Sequence, residues 1–334
     1  MKKDVIVIGA GAAGLFCALT AGQRRRSVLV IEHAEKIGKK ILISGGGRCN
    51  FTNLHTAPEN FISGNPNFHK SALARYTPHD FIELVRKHRI AYHEKKLGQL
   101  FCDDSSQQIV AMLMDECSRA KVETRVNCRV NSVDQSGDSF VVETNHERFE
   151  SEALIVATGG LSIPKMGATD FGYRLARQFS IKVTQTKPAL VSFTLAEADR
   201  KVFTPLSGVS VDALVKLGNQ QFRENILVTH QGLSGPAILQ ISSYWNSGAA
   251  VEIDLLPDNN AEELLIAERG SVKELKTFLS QHWPQRFAQA WTEISGGSKP
   301  LRQYSNKELR AIAERIHRWR ITPNGTEGYR KAEV

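Results

Sequence analysis

The sequence predicts an α/β protein that opens on a strand–turn–helix–strand unit and later carries an inserted β-rich segment followed by a helical one. Three observations carry this. The apolar run Val5-Ile6-Val7-Ile8 stops at Gly9, and a second run, Val28-Leu29-Val30-Ile31, stops at Glu32, as strands buried on both faces do. Between them lies an apolar helix pattern through Leu15, Leu19 and Ala21. From about Lys187 the pattern turns strand-like, and from Ala261 to about Arg320 it turns helical.

The link between the first strand and helix is Gly9-Ala10-Gly11-Ala12-Ala13-Gly14. Alone, such spacing is weak. With a strand before it, a helix after it and an acid 18 residues beyond Gly14, it is strong and reads as Rossmann-like. The first glycine permits a tight turn, the second lets a pyrophosphate approach the backbone, and the third lets helix and strand pack closely. The helix N-terminus presents free N–H groups and a positive dipole end to phosphates. Glu32 sits where a carboxylate accepts hydrogen bonds from ribose hydroxyls. A purely structural glycine turn is the alternative.

The next segment, Gly38-Lys39-Lys40-Ile41-Leu42-Ile43-Ser44-Gly45-Gly46-Gly47-Arg48-Cys49-Asn50-Phe51-Thr52-Asn53, does not read as the interior of an element. A loop this rich in glycine beside Arg48, Cys49 and Asn50 offers close backbone approach and donors suited to a flat polar ring. Thr77-Pro78-His79-Asp80 reads as an N-cap, a proline at the first helical position and an acid in the first turn. Phe81, Leu84, Val85 and His88 follow at helical spacing. Ser105-Ser106-Gln107-Gln108 predicts a capping box for a helix whose apolar stripe is Ile109, Met112, Leu113 and Cys117. His88 and Cys117 therefore read as packing residues rather than ligands.

Val122 to Glu150 shows short alternating strands broken at Ser136-Gly137-Asp138. Ala153-Leu154-Ile155-Val156 is a further buried strand, ending in Ala157-Thr158-Gly159-Gly160, and Gly172-Tyr173 starts a short helix. Later strand-like runs fall at 190–195, 209–217 and 251–255. They are interrupted by Ile226-Leu227-Val228-Thr229-His230-Gln231-Gly232-Leu233-Ser234-Gly235-Pro236, where Pro236 takes a first helical position. The expected boundaries are 1–187, 188–258 (β-rich), 259–322 (helical) and 323–334, a return strand to the first domain. No internal repeat is apparent.

Composition excludes disorder, with 41% hydrophobic and 23% charged residues. No run of roughly 18 apolar residues lacks glycine or charge, so no membrane partner is expected. Met1-Lys2-Lys3 before an apolar stretch imitates a secretion signal, but Asp4 and the spaced glycines argue against one. Five cysteines without a CxxC pair or metal-ligand spacing fit free thiols in a reducing, cytoplasmic setting, with no metal expected. The net charge of +8 is uneven: from Lys299 to Lys331 there are nine Lys/Arg against three Glu. Such an excess attracts polyanions, though a solvated helix face explains it as well.

Together these motifs resemble the BaiN/RdsA family of NAD(P)/FAD-dependent oxidoreductases along essentially the whole chain. The resemblance rests on Gly9–Gly14, Ser44–Asn53, Ala157–Gly160, Lys187-Pro188-Ala189-Leu190, Thr229–Pro236 and Asn324-Gly325-Thr326-Glu327-Gly328-Tyr329-Arg330. It implies a discontinuous Rossmann-like FAD-binding domain with an inserted β-rich domain and a helical subdomain. By similarity Gly9, Gly11, Ala12, Ala13, Gly14 and Glu32 hold the adenosine and pyrophosphate, and Val130 contacts the adenine through its backbone. Lys40, Gly45, Gly46, Gly47, Arg48, Cys49 and Asn50 lie towards the flavin, as do Ala157, Thr158, Gly159 and Gly160. Family members continue past the position of Val334 with a strand and a Gly-rich segment beside the flavin, so the expectation for this polypeptide is weak FAD binding or none.

The resemblance also implies reduction of a polarised C=C bond: uridine to dihydrouridine in large-subunit ribosomal RNA, or a steroid-like enone. A non-catalytic flavin-binding protein or inactive fragment is a further alternative. With no second glycine motif, NAD(P)H is expected to dock only transiently. The reaction needs an acid, and Cys49, tuned by the adjacent Arg48, is the first candidate; packing beneath the ring is the other reading. His230 is the second candidate, against a structural histidine. For an RNA substrate, Arg24-Arg25-Arg26 and the 299–331 excess offer a basic face, with Tyr304 and Trp319 as stacking rings. Core packing is the other reading for Trp319. Oligomeric state is left open.

Overall fold

The computed structural model describes residues 1–333, in two compact units: Met1–Gly160 with Met166–Val183, and residues 161–165 with those from Thr184 onward. In the first unit the elements are β1 (Lys2–Ile8), α1 (Ala12–Gln23), β2 (Val28–Ile31), α2 (Lys39–Ile43), β3 (Asn50–Asn53), α3 (Lys70–Arg75) and α4 (Pro78–Lys87). They continue with β4 (Tyr92–Glu94), β5 (Gln99–Cys102), α5 (Gln107–Arg119), β6 (Glu123–Arg125), β7 (Val130–Ser136), β8 (Ser139–Thr144), β9 (Arg148–Val156) and α6 (Phe171–Gln178).

The main sheet runs β6-β2-β1-β9-β8-β7, with β1 parallel to both β2 and β9, and β7–β9 an antiparallel meander. The apolar runs of β1 and β2 are continuous because both faces are covered. Val7, Val28 and Val30 pack with Leu15, Ala18, Met112 and Leu113 of α1 and α5. Ile6, Ile8, Leu29 and Ile31 pack with Val133, Val142, Phe149 and Leu175 on the other face. A separate sheet, β3-β5-β4, was not legible from the sequence.

Two local expectations differ from what forms. At α4 the cap is as read: Asp80 N–H donates to Thr77 Oγ1 (3.3 Å) and Thr77 N–H to Asp80 Oδ2 (2.7 Å). At α5 the capping box is absent: Ser105 Oγ accepts from Gln107 N–H (3.2 Å), Gln108 Nε2 turns to Asp104 Oδ2 (3.5 Å), and Ser106 Oγ donates to the Leu42 carbonyl (2.8 Å). The 38–53 segment is also more regular than a loop, comprising α2, a 3-10 turn over Ser44–Gly47 and β3.

The second unit holds β10 (Phe193–Thr194), α7 (Glu197–Phe203), β11 (Ser210–Leu217), β12 (Gln220–Val228), β13 (Gly232–Ser234) and α8 (Pro236–Ser242). After them come β14 (Val251–Asp254), α9 (Ala261–Ala267), α10 (Leu275–Leu279), α11 (Gln285–Ile294), α12 (Asn306–His317), β15 (Trp319–Ile321) and β16 (Gly325–Thr326). Its sheet order is β15-β14-β11-β12-β13-β10-β16. One apolar core spans Phe193 to Ile321, taking in the sheet and Leu265, Phe287, Leu309 and Ile316 from the helices. The expected separation at 258/259 therefore does not divide two cores. Residues 325–326, expected to return to the first domain, pair through Thr326 with Phe193 in this second sheet. Trp319 is buried against Phe203 and Phe287, which removes it as a stacking ring. Among the described residues no helix is long and apolar enough to cross a membrane.

Candidate dinucleotide site

The first unit brings the early glycine motif to the carboxyl end of β1, between the side of the sheet that continues to β2 and the side that continues to β9. That reversal in strand order opens a crevice where open α/β sheets bind ligands. Gly9 N–H donates to Ile31 O (2.8 Å) and Ala157 N–H to Ile8 O (2.8 Å), so the turns after β1 and β9 lie side by side. A side chain at Gly9 would collide with the Ala157 carbonyl, and one at Gly14 with the Gly9 carbonyl. A Cβ at Gly11 would meet nothing within 4 Å. Two glycines thus serve packing, and the middle one leaves space where a phosphate needs it. Ala12 and Ala13 open α1, whose N-cap Gly11 provides no side-chain acceptor, so the first-turn amides remain for an anion.

Glu32 is 8% exposed and braces this turn. Its Oε2 accepts from Ala10 N–H (2.8 Å) and its Oε1 from Ala34 N–H (2.9 Å). Oε1 also lies 3.1 Å from His33 Nδ1, and with about four acceptor positions on a carboxylate room remains for a ribose hydroxyl. The Glu32 backbone is held by Arg125 O and Cys128 N–H, just before β7 begins at Val130, which pairs with Thr144.

Gly38 N–H donates to Ala10 O at 2.9 Å, tying the second glycine segment to the first. Gly45, Gly46 and Gly47 all have positive φ, and a Cβ at Gly46 or Gly47 would again meet nothing within 4 Å. Lys40 Nζ reaches Gly160 O at 3.5 Å and lies beside Gly159; burial holds its ammonium below the usual lysine pKa. Gly159 and Gly160 thus border Lys40, and the Gly172 backbone sits close to Thr158 Oγ1. Asn50 begins β3 opposite Phe101.

Cys49 is 5% exposed and has a left-handed backbone, φ 53°. Burial pushes its thiol up, and a hydrogen bond with Ser44 works against that rise. Arg48 is exposed and does not figure among the causes of the Cys49 shift. Cys102, which sequence reasoning missed, donates its N–H to Arg48 O (3.0 Å), and its thiol is pushed up to about 11 by burial and then by the proximity of Cys49. The pairing of β3 with β5 was the missing signal. His230 is exposed on the β12–β13 connection and belongs to the second unit, whereas Cys49 belongs to the first.

Comparison with known proteins places this geometry in a family. A family model described as the HI0933-like protein Rossmann domain matches residues 3–312. The ribosomal RNA dihydrouridine synthase of Escherichia coli (strain K12) is 49% identical over 339 residues, covering 100% of this chain and 84% of that protein. The protein of the same name from Haemophilus influenzae is 47% identical over 340 residues, covering 99% and 84%. The 3-dehydro-bile acid delta(4,6)-reductase of Clostridium scindens is 26% identical over 349 residues, covering 98% and 84%. With the family model spanning nearly the whole chain and two relatives near half identity, the chain belongs to the HI0933-like Rossmann family.

Proposed function

We propose that this chain is an FAD-dependent oxidoreductase that reduces a polarised C=C bond, converting uridine to dihydrouridine in large-subunit ribosomal RNA. The observation that carries the substrate is the 49% identity, over the full chain, to a protein named for that activity. The residues present fit FAD: open space over Gly11, Gly46 and Gly47 is a cradle that a Cβ would fill. Bound and reduced, FAD supplies the hydride for the uracil carbon β to the carbonyl.

The chain's own groups supply the rest. The α1 amides beyond Gly11 hold the diphosphate, and Glu32 uses its remaining acceptor positions for the ribose. Lys40 adds positive charge beside Gly159 and Gly160, and Gly45 to Asn50 let backbone approach the ring. Cys49 gives the proton to the α carbon from Sγ; its burial keeps the thiol protonated, the state a general acid needs. His230 is the alternative donor. NAD(P)H is the reductant, docking without a dedicated glycine motif.

The test supplies the purified chain with FAD, NADPH and ribosomal RNA from cells lacking the gene, then measures dihydrouridine by nucleoside mass spectrometry. Dihydrouridine is expected. Reduced, bound flavin that leaves the RNA unmodified would sink the reading. The bile acid reductase match favours a second reading, a small-molecule enone reductase, which oxidation of NADPH by a steroid enone would reveal.

A further inference from the structure

A cavity of about 320 Å³ opens in the second unit, and none of the residues assigned to the dinucleotide site lines it. Its lining joins the apolar Leu275, Ala311 and Ile312 to the Ser295–Lys299 turn and to Tyr304, Glu308 and Arg315, with the Glu308 carboxylate held by Lys299. The Ser295–Lys299 turn that borders it follows the carboxyl end of α11. Gly296 and Gly297 both have positive φ (108° and 97°), and a Cβ at either would meet nothing within 4 Å, so backbone is open to a ligand there.

Of the two cations in the lining, Lys299 is paired with Glu308 and Arg315 is the one left for a ligand. Of the nine basic residues between Lys299 and Lys331, four are paired with carboxylates: Lys299 with Glu308 (2.8 Å), Arg310 with Glu262 (2.8 Å), Arg318 with Glu314 (3.6 Å) and Arg320 with Glu252 (3.3 Å). Arg315 uses Nη1 on the Ser295 carbonyl (2.8 Å), and among the described residues no carboxylate pairs with it. Its other guanidinium donors remain for an anion. Lys299 Nζ also stands 4.4 Å from the Tyr304 ring centroid, while the Tyr304 hydroxyl accepts from Lys299 N–H and donates to Gly297 O. The cation, ring and glycine turn are thus locked into one wall.

We propose that this cavity seats one nucleotide of a single-stranded RNA segment, with its phosphate on Arg315 and its base against the apolar floor of Ala311 and Ile312. The volume is at the small end of ligand pockets, enough for a nucleotide unit and too small for a larger folded element. A phosphodiester explains the cation without a carboxylate partner, and a π-faced base explains an apolar floor beside it. This rests on the proposed RNA substrate and makes the second unit the part that holds RNA outside the reacting site.

The experiment measures fluorescence anisotropy of a labelled single-stranded RNA of roughly 12 nucleotides, drawn from large-subunit ribosomal RNA, between about 50 and about 200 mM salt. Ala311→Trp fills the cavity from an exposed helix position without changing charge. Arg315→Gln removes the phosphate partner, and Lys307→Gln, exposed on the same helix but outside the lining, is the control. Ala311→Trp and Arg315→Gln are each expected to weaken binding about tenfold, with Arg315→Gln lowering the salt slope by about one and the control within about twofold. Wild-type binding by Ala311→Trp overturns the proposal. So does a control as weak as Arg315→Gln, which would mean a diffuse field, or equal binding of the matching DNA. Circular dichroism melting separates loss of fold from loss of binding. RNA bound normally but never reduced would count against the proposed reaction alone, whereas dihydrouridine formed at an unchanged KM by Ala311→Trp would count against the cavity alone.

Discussion

His317 Nε2 accepts the backbone N–H of Ala261 at 3.0 Å, at the first turn of α9. Because that nitrogen is an acceptor, the ring proton is on Nδ1, which donates to Asp254 Oδ1 at 2.9 Å. One imidazole therefore joins the end of α12, the start of α9 and the end of β14. His317→Ala is expected to lower stability by roughly 1–3 kcal/mol, since it strands the Ala261 amide and leaves Asp254 Oδ1 with only the Leu256 N–H. Urea unfolding measures this, and a nitrogen NMR spectrum showing the proton on Nε2 would contradict the arrangement.

The glycines of the first turn separate folding from binding. Gly14→Ala puts a methyl into the Gly9 carbonyl and is expected to cost about 3 kcal/mol or more, visible as a lowered Tm. Gly11→Ala meets open space at a φ of −83° that alanine adopts freely. It is expected to leave Tm within a few degrees and to weaken FAD uptake in a fluorescence titration. Equal FAD affinity in Gly11→Ala and the unaltered chain would count against the phosphate reading.

Cys49→Ala should abolish proton delivery while sparing the cradle. Turnover is expected to fall by about a hundredfold or more, with flavin binding and flavin reduction by NADPH unchanged. Loss of flavin binding in step with turnover would return Cys49 to a packing role.

Buried thiols set an alkaline limit. Cys102 and Cys117 have pKa values raised to about 11 from an ordinary 9.0, chiefly by burial. The protonated form is favoured in the folded state, so their contribution is complete below pH 9.0, falls as pH rises and is gone above about 11. The urea midpoint should drop between those values, and Cys102→Ala should shallow the drop. An unchanged slope in that variant would contradict the burial argument.

What the sequence revealed was whatever is local and periodic. The runs of β1, β2 and β9, α1 and the Thr77 cap follow from spacing within a dozen residues and formed as read, whereas the 190–195 run kept only β10 and residues 226–228, read as an interruption, became part of β12. The α5 box did not form, because the Gln108 side chain turns to Asp104 and the cap position falls on Ser106, whose hydroxyl is drawn to the carbonyl of Leu42, distant in sequence. Cys102 stayed hidden for a similar reason: its nearness to Cys49 exists only once β5 pairs with β3, and three- and four-residue strands leave little alternation to detect. Glu32 was placed correctly as the acid after β2, but its bracing of Ala10 needs the third dimension.

The single apolar core running from Phe193 to Ile321 also governs how this chain tolerates rearrangement. Removing α9 to α12 would take Leu265, Phe287, Leu309 and Ile316 out of the core they share with the sheet, so sheet and helices gain or lose order together, and any exchange of modules with a relative must move them as one block.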